Sequence, residues 1–230
     1  MVTGASRGIG EAIALALAGE GCRLALVARS GNDLERVAQR CEGLGARALC
    51  LPADLREAPE LKGIVERCVE ELGALHILVN NAGVFHQGLA QEADLNELDE
   101  MLDVNLRAAM HLTRHALPHI IGNRQKQGAV IFIASMSGKR TYSGGAGYCA
   151  TKFGMVGFAD AVFRDVREHG IKVSVICPGF VNTPMVDGMG IDTSLMAQPG
   201  EVAELVRMVA TWPGTSCPRE ILLEPQRLTS

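Results

Sequence analysis

The sequence lacks both a surplus of positive charge and a long apolar run. Its 22 Lys and Arg residues stand against 26 Asp and Glu, which gives a formal charge of −4. A nucleic-acid binder normally carries a basic patch or stripe, so we predict no nucleic-acid partner. The apolar run at 129–136 is far shorter than the roughly 18 residues needed to cross a bilayer, so we also predict no membrane partner.

The cysteines lack the spacing of a disulfide framework or a zinc site. They number seven, and no pair is spaced C-x-x-C. We therefore predict no metal site and expect reduced thiols packed as small apolar side chains. The chain opens Met1-Val2-Thr3-Gly4, without the basic start and apolar stretch of a secretory signal. We expect a cytoplasmic protein, with organelle targeting left open if residues precede Met1.

Short blocks of Val, Ile and Leu alternate with longer amphipathic stretches along the whole chain. The blocks predict strands at 24–28, 48–51, 75–80, 130–135, 173–177 and 221–223. The amphipathic stretches predict helices at 9–20, 33–44, 59–72, 95–121, 147–168 and 201–210. No linker or repeat divides the chain. The alternation predicts an α/β fold, a single doubly wound Rossmann-type domain over 1–230 with a central parallel sheet and helices on both faces.

The first strand of such a sheet is nearly absent from this chain. Only Met1, Val2 and Thr3 precede a glycine-rich turn, whereas a strand usually has about five or six residues. We expect the neighbouring strands to be left with unpaired backbone groups, which cost free energy when buried. Either the chain is a truncated product or another segment fills the gap.

The glycine-rich turn, Thr3-Gly4-Ala5-Ser6-Arg7-Gly8-Ile9-Gly10, leads directly into a predicted helix. Glycine lets the backbone turn tightly and come close to a ligand, and a helix N-terminus favours a phosphate. An ordinary strand–helix turn would look similar, and the spacing differs from G-x-G-x-x-G. The segment alone is therefore weak support for a dinucleotide site.

The residues after the second strand bear on the choice of nicotinamide cofactor. An NAD site places Asp or Glu there to accept from the ribose hydroxyls, but this chain has Ala28 followed by Arg29. Arg29 and Arg7 could bind a 2′-phosphate through charge-assisted hydrogen bonds. We therefore predict NADP(H) rather than NAD(H), with solvated surface arginines as the alternative.

Two more segments follow predicted strands at the edge where open α/β sheets bind ligands. Asp54-Leu55 follows the third strand, and its carboxylate could accept from an adenine amino group. Asn80-Asn81-Ala82-Gly83 follows the fourth, and its small residues would let the chain pass close to a cofactor. Neither segment is specific by itself.

Four polar residues form a candidate catalytic group. Tyr148 and Lys152 lie four residues apart, which places them on one helix face, and the ammonium would lower the pKa of the phenol. Tyr148 could then exchange a proton with a carbonyl or alcohol oxygen. Ser135 closes a strand and could hold that oxygen. Asn105 lies inside the long helical pattern at 95–121, where a buried Asn needs partners, such as a water at a kink.

Taken together, these segments resemble the short-chain dehydrogenase/reductase family over nearly the whole chain. The blocks that carry the resemblance, in the family's order, are TGASRGIG at 3–10, DL at 54–55, NNAG at 80–83, Asn105, Ser135, YCATK at 148–152 and PGFVNT at 178–183.

The resemblance implies a role for each catalytic residue. Tyr148 would be the general acid/base, and Lys152 would bind the nicotinamide ribose and lower the pKa of the tyrosine. Ser135 would orient the substrate carbonyl, and Asn105 would anchor a water in a proton relay. The implied cofactor-binding residues are Gly4, Ser6, Arg7, Gly8, Ile9, Arg29, Asp54, Leu55, Asn81, Ala82, Gly83, Tyr148, Lys152, Pro178, Gly179, Val181 and Thr183.

We predict an oxidoreductase that transfers hydride from NADPH to a ketone, aldehyde or 3-oxoacyl carbonyl. The alternatives are an NAD-linked alcohol dehydrogenase, an NADP(H)-binding protein without turnover, and a truncated product. The stretch at about 181–198 is expected to form a substrate lid, in which Met185, Met189 and Met196 would adapt to apolar substrates, with an ordinary mobile surface loop as the equal alternative.

The expected partners are a small carbonyl or acyl-thioester substrate and further copies of this chain. Family members often pair two long helices between subunits, so we expect a homodimer or homotetramer, with Gly154 and Gly157 permitting close helix approach. Four cations could meet an acidic acyl carrier, although scattered surface charges are the favoured explanation: Arg124, Lys126, Lys139 and Arg140.

Overall fold

The computed structural model describes residues 1–123 and 128–227, and in these ranges seven parallel strands form one sheet. The spatial order is β3-β2-β1-β4-β5-β6-β7. The order reverses between β1 and β4, which is where doubly wound sheets open a ligand crevice. The predicted fold class is confirmed. The strands are β1 (Val2–Thr3), β2 (Leu24–Ala28), β3 (Ala48–Pro52), β4 (Ile77–Asn80), β5 (Gly128–Ile133), β6 (Ile171–Pro178) and β7 (Glu220–Leu223).

Helices cover both faces of the sheet because successive strand residues point to opposite sides. In β5, Ile131 packs into the core beneath α1, α2 and α7, while Phe132 packs beneath α3, α5 and α6. Every residue of β5 and β6 is buried, as expected for strands covered on both faces. The helices are α1 (Gly8–Gly19), α2 (Gly31–Glu42), α3 (Glu60–Leu72), α4 (Leu95–Met101), α5 (Ala108–Ile121), α6 (Ala146–Val166) and α7 (Pro199–Thr211).

The first strand is short, as predicted, but it pairs on both sides. Thr3 pairs with β2, and Val2 pairs with both Leu26 of β2 and Val79 of β4. Met1 extends the pairing toward β4, since its amino group donates to the carbonyl of Ile77 at 2.8 Å and its carbonyl accepts from Val79. The expectation that the neighbouring strands would lack partners is therefore wrong at these positions.

The helical pattern predicted at 95–121 is three segments rather than one helix. Leu95–Met101 is α4 and Ala108–Ile121 is α5, and a π-helical segment, Leu102–Arg107, joins them. The wider turn of a π-helix is frequent at functional sites. It contains Asn105, so the predicted irregularity at this residue is present as a change of helix type.

None of the described helices is long and apolar enough to cross a membrane. Within 1–123 and 128–227, no group of three or more His, Cys, Asp and Glu side chains is arranged to hold a metal ion. All seven cysteines carry free thiols, four of them buried.

Candidate functional site

A cleft of about 1140 Å³ lies along the carboxyl ends of the strands. That volume exceeds the roughly 300–1,000 Å³ of most small-molecule pockets. It is lined by Ser135 and by all of the residues that the sequence assigns to the cofactor: Gly4, Ser6, Arg7, Gly8, Ile9, Arg29, Asp54, Leu55, Asn81, Ala82, Gly83, Tyr148, Lys152, Pro178, Gly179, Val181 and Thr183. Asn105 is not on the lining. The structure thus gathers residues that are far apart in sequence.

The glycine-rich turn brings the N-terminus of α1 to the cleft. Gly8 has φ +58°, and a Cβ built there would lie 3.2 Å from Cγ2 of Thr183 across the cleft. A Cβ on Gly10 would lie 2.1 Å from the carbonyl oxygen of Gly4, so only glycine lets the helix pack this closely on the turn. No side chain caps α1, which leaves its first N–H groups available to an anion.

Positive charge surrounds the far end of this turn. Arg7 and Arg29 line the cleft, and neither has an ion-pair partner within the described part of the chain. Glu11, in the first turn of α1, is paired with Arg36 at 2.7 Å and also with Arg40. The hydrogen bond from Arg36 holds the pKa of Glu11 below its usual value. The acid is thereby neutralised, while the two cleft arginines keep unpaired charge.

Asp54 lies at the adenine end proposed from the sequence, but its carboxylate already has a partner. Arg56 donates to both carboxylate oxygens, through Nε at 3.1 and 3.0 Å and through Nη2 at 2.6 Å. This pairing, with a smaller contribution from the charge of Arg29, lowers the pKa of Asp54. The carboxylate is therefore held ionised and oriented at the cleft wall.

The segment after β4 is held against β1 by hydrogen bonds to Thr3. Oγ1 of Thr3 accepts from the backbone N–H of Asn81 and of Ala82, both at 3.0 Å. The side chain of Asn81 returns a hydrogen bond to the Thr3 carbonyl at 2.8 Å. The two turns that flank the switch point are thus fixed to each other, with Gly83 continuing into the cleft.

The predicted catalytic residues converge where the cleft meets α6. Nζ of Lys152 is buried, donates to the carbonyl oxygen of Ile133 at 3.1 Å and lies 5.6 Å from the centre of the Tyr148 ring. Ser135 follows β5, its hydroxyl accepts from the backbone N–H of Ser137 at 3.1 Å, and it lies near enough to the phenol of Tyr148 to influence the pKa of that group. One titratable phenol, one ammonium and one hydroxyl therefore face the same end of the cleft.

The electrostatics of this group differ from the sequence prediction. Burial raises the pKa of Tyr148 above its ordinary value, and the nearby hydroxyl of Ser135 opposes that shift only in part. Burial also lowers the pKa of Lys152 to about 8. The predicted lowering of the tyrosine pKa is wrong for this structure, because desolvation of the buried phenol is the largest influence on that pKa and raises it.

Asn105 lies behind the cleft wall rather than on it. It is fully buried, and its side chain pairs with the Val84 backbone in both directions, accepting from N–H at 2.7 Å and donating to the carbonyl at 2.9 Å. Its Nδ2 also donates to Oγ1 of Thr151 at 3.2 Å. The amide thus anchors the segment that carries Gly83 and Val84.

The segment predicted as a lid follows Thr183. Short 3₁₀ turns at Pro184–Val186 and Thr193–Leu195 make up part of it. Met185 and Met189 line the cleft, but Met196 does not. Met196 is buried beside Ala197, which pairs with Val181, so its side chain belongs to the base of the segment.

Several lining residues escaped the sequence prediction. Phe85 packs edge-to-face on the Tyr148 ring with ring centres 5.0 Å apart. Met136 and Tyr142 also line this part of the cleft, and Thr151 contacts Asn105 from behind. Phe85 follows the NNAG block by two residues and Thr151 lies inside the YCATK block. Their closeness to these blocks is the one feature of the sequence that could have indicated them.

Some of the residues that the sequence suggested for contacts with other molecules instead have partners within the chain. Lys139 is paired with Glu220 at 2.5 Å and Arg140 with Glu224 at 3.4 Å, whereas Arg124 and Lys126 lie outside the described residues. A Cβ on Gly154 would lie 2.9 Å from Cδ2 of Leu106, so this glycine serves packing within the chain.

The chain is similar to known proteins in both sequence and fold. The model of the short chain dehydrogenase family matches residues 1–193. The 3-oxoacyl-[acyl-carrier-protein] reductase FabG of Staphylococcus aureus is 35% identical over 190 residues, 82% of this chain and 76% of that protein.

Two solved structures share the whole fold. A metagenomic short-chain oxidoreductase in complex with NADP has a TM-score of 0.85 at 32% identity, covering 99% of this chain and 96% of that one. An alcohol dehydrogenase of Thermococcus sibiricus, complexed with 5-hydroxy-NADP, has a TM-score of 0.91 at 28% identity, covering 100% and 97%. The protein described here belongs to the short-chain dehydrogenase/reductase family.

Proposed function

We propose that this protein is an NADP(H)-dependent reductase of a ketone, aldehyde or 3-oxoacyl carbonyl. The observation that carries the proposal is the convergence of Tyr148, Lys152 and Ser135 at one end of a cleft with a phosphate-binding turn at the other. When bound, the dinucleotide supplies the hydride that reduces the carbonyl carbon. The protein's own residues supply orientation and the proton.

Ser135 and Tyr148 act on the substrate oxygen. The hydroxyl of Ser135 holds and polarises the carbonyl, as an oxyanion-hole donor does. Tyr148 donates a proton to the oxygen as it gains charge. The raised pKa of the phenol keeps it protonated near neutral pH, which is the form that carbonyl reduction requires. The reverse reaction, alcohol oxidation, needs the phenolate, which this burial disfavours.

Lys152 places a buried positive charge at the same end of the cleft as Tyr148 and Ser135. Its ammonium has one acceptor, the Ile133 carbonyl, among the residues that the structure describes, which leaves two of its N–H groups to meet ribose hydroxyls. Asn105 holds Gly83 and Val84 beside it. We propose that Asn105 also anchors the water relay that the family resemblance implies.

The nucleotide end of the cleft fits a phosphorylated dinucleotide. The uncapped N-terminus of α1 and the close approach at Gly8 provide room and donors for the pyrophosphate. The unpaired guanidinium groups of Arg7 and Arg29 supply charge for a 2′-phosphate. The metagenomic relative and the Thermococcus enzyme were both solved with NADP or a derivative, which supports the same preference.

The lining that we assign to the substrate includes the apolar and aromatic side chains of Phe85, Met136, Tyr142, Met185 and Met189. Such a surface suits a carbonyl carried on a hydrocarbon chain or ring. The likeness to a 3-oxoacyl reductase supports an acyl thioester as one member of this class. We propose that 181–198 is a lid over this end.

A fluorescence titration with NADPH and, separately, NADH tests the cofactor, and a screen of ketones, aldehydes and 3-oxoacyl thioesters tests the reaction. We expect NADPH to bind at least about tenfold more tightly than NADH, a difference of about 1.4 kcal/mol. Tighter NADH binding would favour the NAD-linked alcohol dehydrogenase instead. Tight NADPH binding without turnover of any carbonyl would favour a binding protein.

The expected homo-oligomer stays a proposal. Leu102 and Met110 are exposed beside a shallow groove formed by the π-helical segment and α5, and Phe153 is exposed on α6. We propose that a second copy of the chain covers this face. Sedimentation of the wild-type protein and of Met110→Glu tests this, since the charge should shift a dimer or tetramer toward monomer. The cytoplasmic location also stays a prediction.

A further inference from the structure

One buried hydroxyl joins three elements that form the catalytic end of the cleft. Oγ1 of Thr151 donates to the backbone carbonyl of Tyr148 at 2.8 Å and accepts from Nδ2 of Asn105 at 3.2 Å. Asn105 in turn pairs with both backbone groups of Val84, on the cleft wall. The hydroxyl therefore connects α6, the π-helical segment and the turn after β4.

We propose that Thr151 is a positioning residue for catalysis, which sets the orientation of Asn105 and the register of the Tyr148 turn against Gly83 and Val84. The inference rests on the proposed function of Tyr148 as proton donor. A threonine that only hydrogen-bonds back to its own helix is common. What differs here is that the same oxygen is the acceptor for a fully buried amide from another element.

The position of this hydroxyl in the sequence makes its effect on the site direct. Thr151 immediately precedes Lys152, and its bond returns to the carbonyl of Tyr148, so it closes the helical turn that carries both groups. A Cβ on Gly83 would lie 3.3 Å from Oδ1 of Asn105 and 3.7 Å from Nζ of Lys152. Asn105 and the ammonium of Lys152 thus both lie next to Gly83, and Asn105 holds the adjoining Val84 backbone, so we expect a rotation of the amide to disturb the cleft wall beside the ammonium.

Replacement of the hydroxyl by a methyl group of similar size isolates the polar contact. In Thr151→Val, one N–H of Asn105 loses its acceptor in a site without solvent, which the amide can relieve only by turning away from Val84. Thr151→Ser keeps the oxygen. We expect Thr151→Val to lower kcat about ten- to hundredfold, because misplacements of about 1 Å have effects of that order, with KM and NADPH affinity within about twofold of wild type. Thr151→Ser should retain kcat within about threefold.

A matched control lies elsewhere in the same core. Thr113 on α5 is also fully buried, and its Oγ1 accepts from the side chain of Asn80 at 3.0 Å. Thr113→Val therefore removes the same kind of contact without touching Asn105 or Tyr148. It should lower the melting temperature as Thr151→Val does but leave kcat unchanged. An equal fall of kcat in both variants would overturn the proposal, since loss of any buried hydrogen bond would then account for the lower activity.

A second readout does not depend on turnover. Amide hydrogen exchange at Val84, whose N–H is donated to Asn105, should accelerate in Thr151→Val and not in Thr151→Ser or Thr113→Val. Unchanged exchange at Val84 in Thr151→Val would sink the proposal whether or not the protein is active. If wild type reduces no carbonyl, the proposed function fails, and Val84 exchange alone then decides whether Thr151 orients the site.

Discussion

The two ends of the cleft are built in different ways. At the nucleotide end, backbone groups and short side chains are fixed to one another. For example, the hydroxyl of Thr3 accepts hydrogen bonds from the N–H groups of Asn81 and Ala82. At the end assigned to the substrate, the wall includes flexible and aromatic side chains, among them Met185 and Met189, beside glycines 188 and 190 at positive φ. The first end can bind one kind of ligand in one pose, whereas the second can adapt. Chemistry and cofactor are therefore easier to infer than the substrate.

The largest expected effect is a loss of kcat on removal of the Tyr148 hydroxyl, which tests the chemical step separately from cofactor and substrate binding. Tyr148→Phe removes the proposed proton donor while keeping the ring that packs on Phe85. General acid–base catalysis contributes about 10²–10⁴-fold, so kcat for carbonyl reduction should fall by about that factor. NADPH affinity should stay near wild type. Steady-state kinetics and a fluorescence titration measure the two quantities.

Tyr142→Phe is the matched control, because Tyr142 is the other tyrosine of the chain and also lines the cleft. It should retain most of kcat. If Tyr148→Phe retained turnover, the proton would have to come from another group or from solvent, and the proposed mechanism would be wrong.

The second prediction concerns the nucleotide end alone. Arg29→Ala should weaken NADPH binding about ten- to hundredfold, as expected for loss of a charge-assisted contact of about 1.5–3 kcal/mol. NADH affinity and the KM for the carbonyl should change little, because the 2′-phosphate is absent from NADH. Arg47→Ala, which removes a cation paired with Glu71 away from the cleft, controls for net charge. Equal losses of NADPH and NADH affinity would show that Arg29 does not recognise the 2′-phosphate.

The contrast between the two ends also explains which features of the protein could be predicted from its sequence. The fold class followed from alternating apolar blocks and helices, and the family followed from segments such as 3–10 and 148–152. These segments need particular residues because backbone passes close to backbone, as at Gly10. Such geometric requirements leave a pattern in the sequence that can be recognised without a structure.

Features that depend on burial and on distant contacts left no such pattern. The pKa of Tyr148 depends on how completely α6, Phe85 and the strand ends exclude water, which no spacing shows. The short first strand suggested unpaired neighbours, but the pairing of Met1 with Ile77 and Val79 depends on the register of β4. Desolvation and register are both properties of the assembled fold.

The third prediction uses pH to probe the catalytic end. The proposed reduction needs Lys152 charged, and the pKa of this group is lowered by burial to about 8. Since this group loses its proton as pH rises, kcat/KM for reduction should fall about tenfold between pH 7 and 9. Tyr148 does not add to this fall, because its raised pKa keeps it protonated over the same range.

The unfolding free energy distinguishes this titration from loss of structure. Unfolded Lys152 keeps its proton to a higher pH than folded Lys152, so the unfolded state binds more protons above about pH 8. The contribution of this group to stability therefore rises over that window. The activity limb near pH 8 should disappear in Lys152→Arg, whose charge persists. A limb that remains would belong to another group.

The smallest expected effect tests the substrate end. Met189 lines the cleft from the segment proposed as a lid, and its flexible side chain can repack around different apolar groups. Met189→Ala should raise KM for a good substrate only about two- to fivefold, and it should shift the preference toward bulkier carbonyls by a similar factor. Met196→Ala, at a buried position off the cleft, should instead lower stability and leave KM unchanged. If Met189→Ala altered NADPH affinity as much as KM, the two ends would not be separable, and the lid would have to contact the cofactor as well as the substrate.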